Sequence, residues 1–140
     1  QQYGHVEKMA ESLAKGAALE GVEVTSFNTN DARFPIDEYR QYDAVAFGSP
    51  DYFSYIAGTL KTFLDDWYLV KNENSDGLMD KPIALFLAYK GGGLARQPFE
   101  MLFSHLGDQV GGIVEWDDEP TPIILHACHD LGRKLAQSVR

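Results

Sequence analysis

The chain has one cysteine, Cys128, in 140 residues, so no disulfide can close within it, and a reducing compartment is its natural setting. No apolar run approaches the roughly 20 residues that span a bilayer, and no signal-peptide pattern is visible, so a cytoplasmic protein without membrane insertion is expected. Basic side chains are scarce: 12 against 21 acidic ones leave a net charge of −9, which speaks against nucleic acid as a partner. Such an acidic surface suits solubility or docking to a basic partner. Repeats, low-complexity tracts and Pro- or Gly-rich linkers are also missing, and a single domain over residues 1–140 is expected. The N-terminal glycine turn lacks the Lys-Ser/Thr pair of a nucleoside-triphosphate loop, so nucleotide hydrolysis has no support.

What is present is an alternation of apolar runs and amphipathic helices. Val6, Met9, Ala10, Leu13, Ala14 and Ala17 recur at helical spacing behind Tyr3-Gly4-His5, and Gly21 reads as the stop signal. Residues 22–27 alternate as an edge strand would, and 37–41 read as a short helical turn. Ala44-Val45-Ala46-Phe47 is a strand buried on both faces, closed by Gly48-Ser49-Pro50. Leu60, Phe63, Leu64 and Trp67 mark the next helix. Ile83-Ala84-Leu85-Phe86-Leu87-Ala88 is a further buried strand, followed by a helix carrying Phe99, Leu102, Phe103 and Leu106 and stopped at Gly107. Residues 111–116 read as a last strand. A closing helix turns Ile124, Cys128, Leu131 and Leu135 inward.

Strands alternating with helices predict a parallel sheet covered on both faces, with ligands held outside the carboxyl ends of its strands. Three loops fall there: residues 1–6, 49–55 and 88–94. The first reads as the end of a strand that should lie upstream of this sequence. A helix N-terminus behind Gly4 suits a phosphate. Tyr52, Phe53, Tyr55, Tyr89 and the run Gly91-Gly92-Gly93 suit a flat, partly apolar ring with polar edges. Phosphate at one end and heterocycle at the other describe FMN.

Tyr3-Gly4-His5 at the first helix, Gly48-Ser49-Pro50-x-Tyr52-Phe53 followed by Gly58-x-Leu60-Lys61-x-Phe63-Leu64-Asp65, and the glycine run after a buried strand are similar to the flavodoxin-like superfamily over nearly the whole chain. The likeness is closest to its NAD(P)H:quinone oxidoreductase branch, the tryptophan-repressor-binding-protein type. This resemblance implies a three-layer α/β/α sandwich with strand order 2-1-3-4-5, its first strand outside the sequence. It implies that Gln1, Gln2, Tyr3, Gly4, His5 and Val6 wrap the FMN phosphate. Pro50, Asp51, Tyr52 and Phe53 would lie against the isoalloxazine, with Ala88, Tyr89, Lys90, Gly91, Gly92 and Gly93 along its pyrimidine edge. It also implies a catalytic histidine near the end of the fourth helix, for which His105 is the candidate. Val6 stands where the superfamily often has Thr or Ser, and the connection 67–82 is shorter than in the quinone-reductase branch.

The expected function is therefore an FMN-dependent oxidoreductase taking electrons from NAD(P)H to a quinone or similar small-molecule acceptor. The alternative is an electron carrier of flavodoxin type docking to redox proteins through its acidic face, and a third reading is an interaction module without cofactor. A homo-oligomer is compatible with the first. Negative charge from Asp51 and the whole chain would lower the flavin potential. His126, Cys128 and His129 have no further ligands nearby, so no metal site is expected. Asp117-Asp118-Glu119 reads as a solvated loop, and His105 on its residue context alone as a structural or exposed side chain.

Overall fold

In the computed structural model, which describes residues 4–91 and 93–139, the chain is built around β2 (Lys81–Tyr89). Residues 83–88 are all apolar and all buried, so both faces of this strand need cover. β1 (Val45–Pro50) runs parallel along one side of it, from Val45 beside Ile83 to Pro50 beside Ala88. Two short parallel strands share the other side. β3 (Gly107–Gln109) lies against the start of β2, and β4 (Val114–Asp117) lies against its end. Between them Val110 N–H still reaches the Ile83 carbonyl at 2.7 Å, and the chain then turns out at Gly111.

Among the described residues five helices cover the sheet: α1 (His5–Leu19), α2 (Ile36–Tyr39), α3 (Gly58–Glu73), α4 (Arg96–Phe103) and α5 (Pro122–Gln137). Alternation along β2 sorts them. Ile83, Leu85 and Leu87 pack with Ile36 and Tyr39 of α2, Leu60, Phe63 and Trp67 of α3, and Phe99 and Phe103 of α4. Ala84, Phe86 and Ala88 pack with Met9 and Leu13 of α1 and with Cys128, Leu131 and Leu135 of α5. The result is the expected three-layer α/β/α arrangement with a parallel sheet. Fully buried rings such as Phe99 and Phe103 each contribute about 1.5–3 kcal/mol on the first side. Lys81 is a buried cation in the core; its ammonium donates to the Tyr39 carbonyl and lies 4.5 Å from the Tyr39 ring centroid, tying β2 to α2. Among the described residues no helix is long and apolar enough to cross a membrane.

Three elements differ from expectation. Residues 22–27 join no ladder among the described residues, and Val24 and Phe27 are exposed. A strand is fixed by the ladder it joins, and no described strand lies beside this segment; Phe27 packs edge-on against Phe34 instead, with centroids 5.0 Å apart. Gly48-Ser49-Pro50 does not end β1 but belongs to it. Gly48 is there for packing, since a Cβ would fall 2.1 Å from the Phe86 ring. Gly107 is no helix stop, because α4 has already ended at Phe103, and it opens β3 with its Cα hard against the Lys81 backbone. Of the order 2-1-3-4-5, the described ladders supply three adjacent positions, β1, β2 and the broken β3–β4 edge.

α1 and α5 lie side by side on one face and touch through two glycines. A Cβ on Gly16 would sit 1.9 Å from the His129 carbonyl oxygen, and one on Gly132 would sit 2.0 Å from that of Leu13. Both obstacles are backbone and cannot rotate away. We expect Gly16→Ala and Gly132→Ala each to destabilise the protein, because overpacking costs about 1–3 kcal/mol, more than the ~1 kcal/mol alanine gains over glycine in a helix interior. A thermal melt in which both variants match the parent would show that the two helices separate freely.

Candidate functional site

The described residues of the three loops gather at the carboxyl edge of the sheet, where Lys8 near the start of α1 meets Glu119 just past β4. Gly4 precedes α1 at φ +72, ψ 14, a left-handed conformation that glycine adopts without strain, and its carbonyl accepts the Lys8 N–H at 3.1 Å. Nothing lies within 4 Å of where a Gly4 Cβ would stand. No side chain caps this helix start, and an end of this kind presents backbone N–H groups and a positive dipole end to anions. Gln1, Gln2 and Tyr3, expected in the same loop, lie outside the described residues. His5 is half-buried as the first residue of α1. Val6 packs on the apolar layer under α1 and α5, so only its backbone can serve the loop. Lys8 and Glu119 pair at 2.5 Å and bind this end of α1 to the loop after β4.

The second loop leaves β1 at Pro50. Tyr52 and Tyr55 exchange two backbone hydrogen bonds, of 2.9 and 3.0 Å, and form a two-residue turn. Its central residues are Phe53 at φ +54 and Ser54 at φ +63. Asn-Gly is the usual occupant of such a turn, and holding Phe and Ser there costs on the order of 1 kcal/mol each. The strain is spent on display: Phe53 is fully exposed at the tip, with Tyr52 and Tyr55 partly exposed beside it. Ser49 anchors the base of the loop. Its buried hydroxyl donates to the Pro50 carbonyl at 2.7 Å and accepts the Ala57 N–H at 2.9 Å, where α3 begins.

The third loop leaves the end of β2. Ala88 is buried in the sheet, and its carbonyl accepts the Asp51 N–H at 2.9 Å. Tyr89 packs its ring against Gly93, where a Cβ would fall 2.8 Å from the ring. Burial, with the carboxylates of Glu115 and Asp117, pushes the Tyr89 phenol up. Glu115 also takes Arg96 at 2.7 Å, and Arg96 reaches Glu100 at 3.1 Å. Lys90 and Gly91 are exposed, Gly91 at φ +74; Gly92 lies outside the described residues. Outside this loop is an open cleft of about 320 Å³ lined by Gly93, Leu94, Arg96, Gln97 and Glu100.

Two carboxylates that the sequence did not single out as braces join these loops. Asp51 Oδ2 accepts the Ala95 N–H at 3.1 Å, and Asp117 Oδ1 accepts the Gly91 N–H at 2.9 Å. Asp51 therefore turns towards the neighbouring loop. The acidic stretch 117–119 is more than a solvated loop: Asp117 holds Gly91, and Glu119 holds Lys8, whose hydrogen bond and charge draw the Glu119 carboxyl below its usual range.

His105 is not brought to the site. It is exposed between α4 and β3, and β3 starts beside Lys81 at the opposite end of β2. The physical reason is the direction of α4, which carries the chain back from the carboxyl edge. Eight residue steps of β2, at about 3.3 Å each, separate the two ends. His126 and His129 stack on α5 with centroids 6.2 Å apart, while Cys128 points into the core, where burial pushes its thiol up to about 11. Among the described residues no cluster of metal-binding side chains forms.

Ser49 gives this geometry a direct check. Ser49→Ala leaves the buried Ala57 N–H without its acceptor, and we expect a loss of about 1–3 kcal/mol in urea denaturation. An unchanged midpoint would mean that the hydroxyl does not hold the base of the aromatic turn.

Comparison with known proteins agrees with this layout. The family model described as Flavodoxin matches residues 2–121. A flavodoxin from the domain Archaea superposes with a TM-score of 0.84 at 23% identity, covering 99% of this chain and 93% of its own. A WrbA-like flavodoxin from Agrobacterium tumefaciens gives 0.73 at 20% identity over 100% and 92%. Rubredoxin oxygen:oxidoreductase from Desulfovibrio gigas gives 0.81 at 18% identity, with 99% of this chain matching 34% of that one. The chain belongs to the flavodoxin family of flavin-binding redox proteins.

Proposed function

We propose that this chain binds FMN across its three loops and acts as an NAD(P)H-dependent oxidoreductase that passes electrons to a quinone or similar acceptor. The observation that carries the reading is the convergence at one sheet edge of an uncapped helix start behind left-handed Gly4, an aromatic turn and an exposed glycine loop. These residues fit the cofactor. The open space at Gly4 and the helix N-terminus behind it suit a phosphate, and the exposed rings of Tyr52 and Phe53 suit a flat heterocycle. Backbone groups of Lys90, Gly91 and Gly93 would meet its polar edge. When bound, the flavin supplies the electron chemistry. The protein holds the ring against the aromatic turn, keeps Gly4 free of a side chain, and surrounds the site with carboxylates that oppose added negative charge. We read the chain as one domain, working in the reducing compartment that its single buried thiol suits.

The second reading is an electron carrier, which the net charge of −9 favours because it would steer a basic protein partner to the site. An anaerobic visible spectrum with FMN, before and after NADH or NADPH, separates the two. We expect perturbed flavin bands that bleach on adding a nicotinamide. Bands that are perturbed but indifferent to both nicotinamides would make the protein a carrier, and free-flavin bands throughout would overturn both readings. We further expect Gly4→Val to weaken FMN binding about tenfold or more, since a side chain in the left-handed region costs roughly 1–2 kcal/mol. Unaltered affinity in a flavin titration would remove the first loop from the site.

A further inference from the structure

The loop leaving β2 is held from two sides by carboxylates that belong to the two strands flanking β2. Asp51, just past β1, first donates its own N–H to the Ala88 carbonyl at 2.9 Å and then accepts the Ala95 N–H at 3.1 Å. On the other side Asp117 closes β4; its neighbour Asp118 donates its N–H to the Tyr89 carbonyl at 2.6 Å, and Asp117 accepts the Gly91 N–H at 2.9 Å. Each carboxylate thus stands on backbone already hydrogen-bonded to the end of β2. Among the described residues neither pairs with a cation across the loop; both spend their charge on main-chain N–H groups, which strengthens the bonds. Gly91 at φ +74 and Gly93 at φ +77 leave the loop little stiffness of its own.

We propose that Asp51 and Asp117 are positioning residues that together fix the loop after β2 in its binding shape, and so set affinity for the ring end of the cofactor but not for its phosphate end. This rests on the FMN reading given above. It assigns Asp51 a role different from lying against the ring, because its carboxylate is engaged with Ala95. It also accounts for an acid at 117 in a chain already rich in negative charge.

Riboflavin, which has the ring but no phosphate, makes the test specific. Asp51→Ala and Asp117→Ala should weaken FMN and riboflavin by the same factor, about tenfold for loss of a charge-assisted hydrogen bond, leaving the ratio of the two affinities unchanged. Asp51→Asn and Asp117→Asn retain an acceptor oxygen and should restore most of the affinity. Amide exchange in the cofactor-free protein should quicken at Ala95 in the first alanine variant and at Gly91 in the second. Parental affinity for both flavins in the alanine variants would overturn the proposal, as would a loss confined to FMN. Asparagine variants as weak as the alanine ones would show that an acceptor at these positions does not hold the loop and overturn it too; they decide the matter alone if an alanine variant does not fold. A parent chain that binds neither flavin would instead overturn the FMN reading, and this proposal with it.

Discussion

Everything in this molecule leans on the pairing of β2 on both of its sides. A strand of six consecutive buried apolar residues is insoluble by itself, and its N–H and C=O groups cannot be left in an apolar interior without partners. β1 on one side and β3 with β4 on the other take those groups, and α1 to α5 cover the two faces. Parallel pairing then has a geometric consequence. Because β1, β2 and β4 all point the same way, the chain must leave each of them at one edge. The cleft of loops is thus an outcome of how the core is buried.

That edge is irregular where the rest is regular. Phe53 and Ser54 are held in a conformation that disfavours side chains, and the glycine loop has little preference of its own. Neither would keep its shape alone. The aromatic turn is closed by the Tyr52–Tyr55 pair and footed on Ser49, and the glycine loop is braced by Asp51 and Asp117. The buried hydroxyl and the two carboxylates do not need to touch a ligand to matter. They transfer the rigidity of the sheet to segments that have none, which is what a preorganised site requires.

Much of this could be read from residue order, and the part that could not has a common cause. Helical spacing located Leu60, Phe63, Leu64 and Trp67 as one buried face, and the apolar run at 83–88 announced a doubly covered strand. Those signals are periodic and local. β3 has three residues and no period to detect, and it is a strand only because Lys81 lies beside it. Residues 22–27 show the reverse: alternation is there, but no described neighbour completes the ladder. His105 was placed by analogy with a helix end, and the analogy did not carry which end of the sheet that helix reaches. Asp51 and Asp117 meet partners 44 and 26 residues away, a relation that only the fold creates.

Charge brings the two ends of the site into opposition. Within a chain of net charge −9, Lys8 and Arg96 stand near the loops, yet Glu119 and Glu115 engage them at 2.5 and 2.7 Å. Attraction for an anionic group can come from oriented backbone N–H groups at the start of α1, with Glu7 in the same first turn opposing it. Such dipoles act over one helical turn, whereas the surrounding carboxylates act over about a Debye length, near 8 Å at physiological salt. On the FMN reading, the phosphate end would be held by a short-range cradle inside a repulsive field, and the ring end by aromatic contact that the field hardly touches. Such a division would let so acidic a sequence still fit a phosphate-bearing ring, and would let the braces of the loop after β2 be acids themselves.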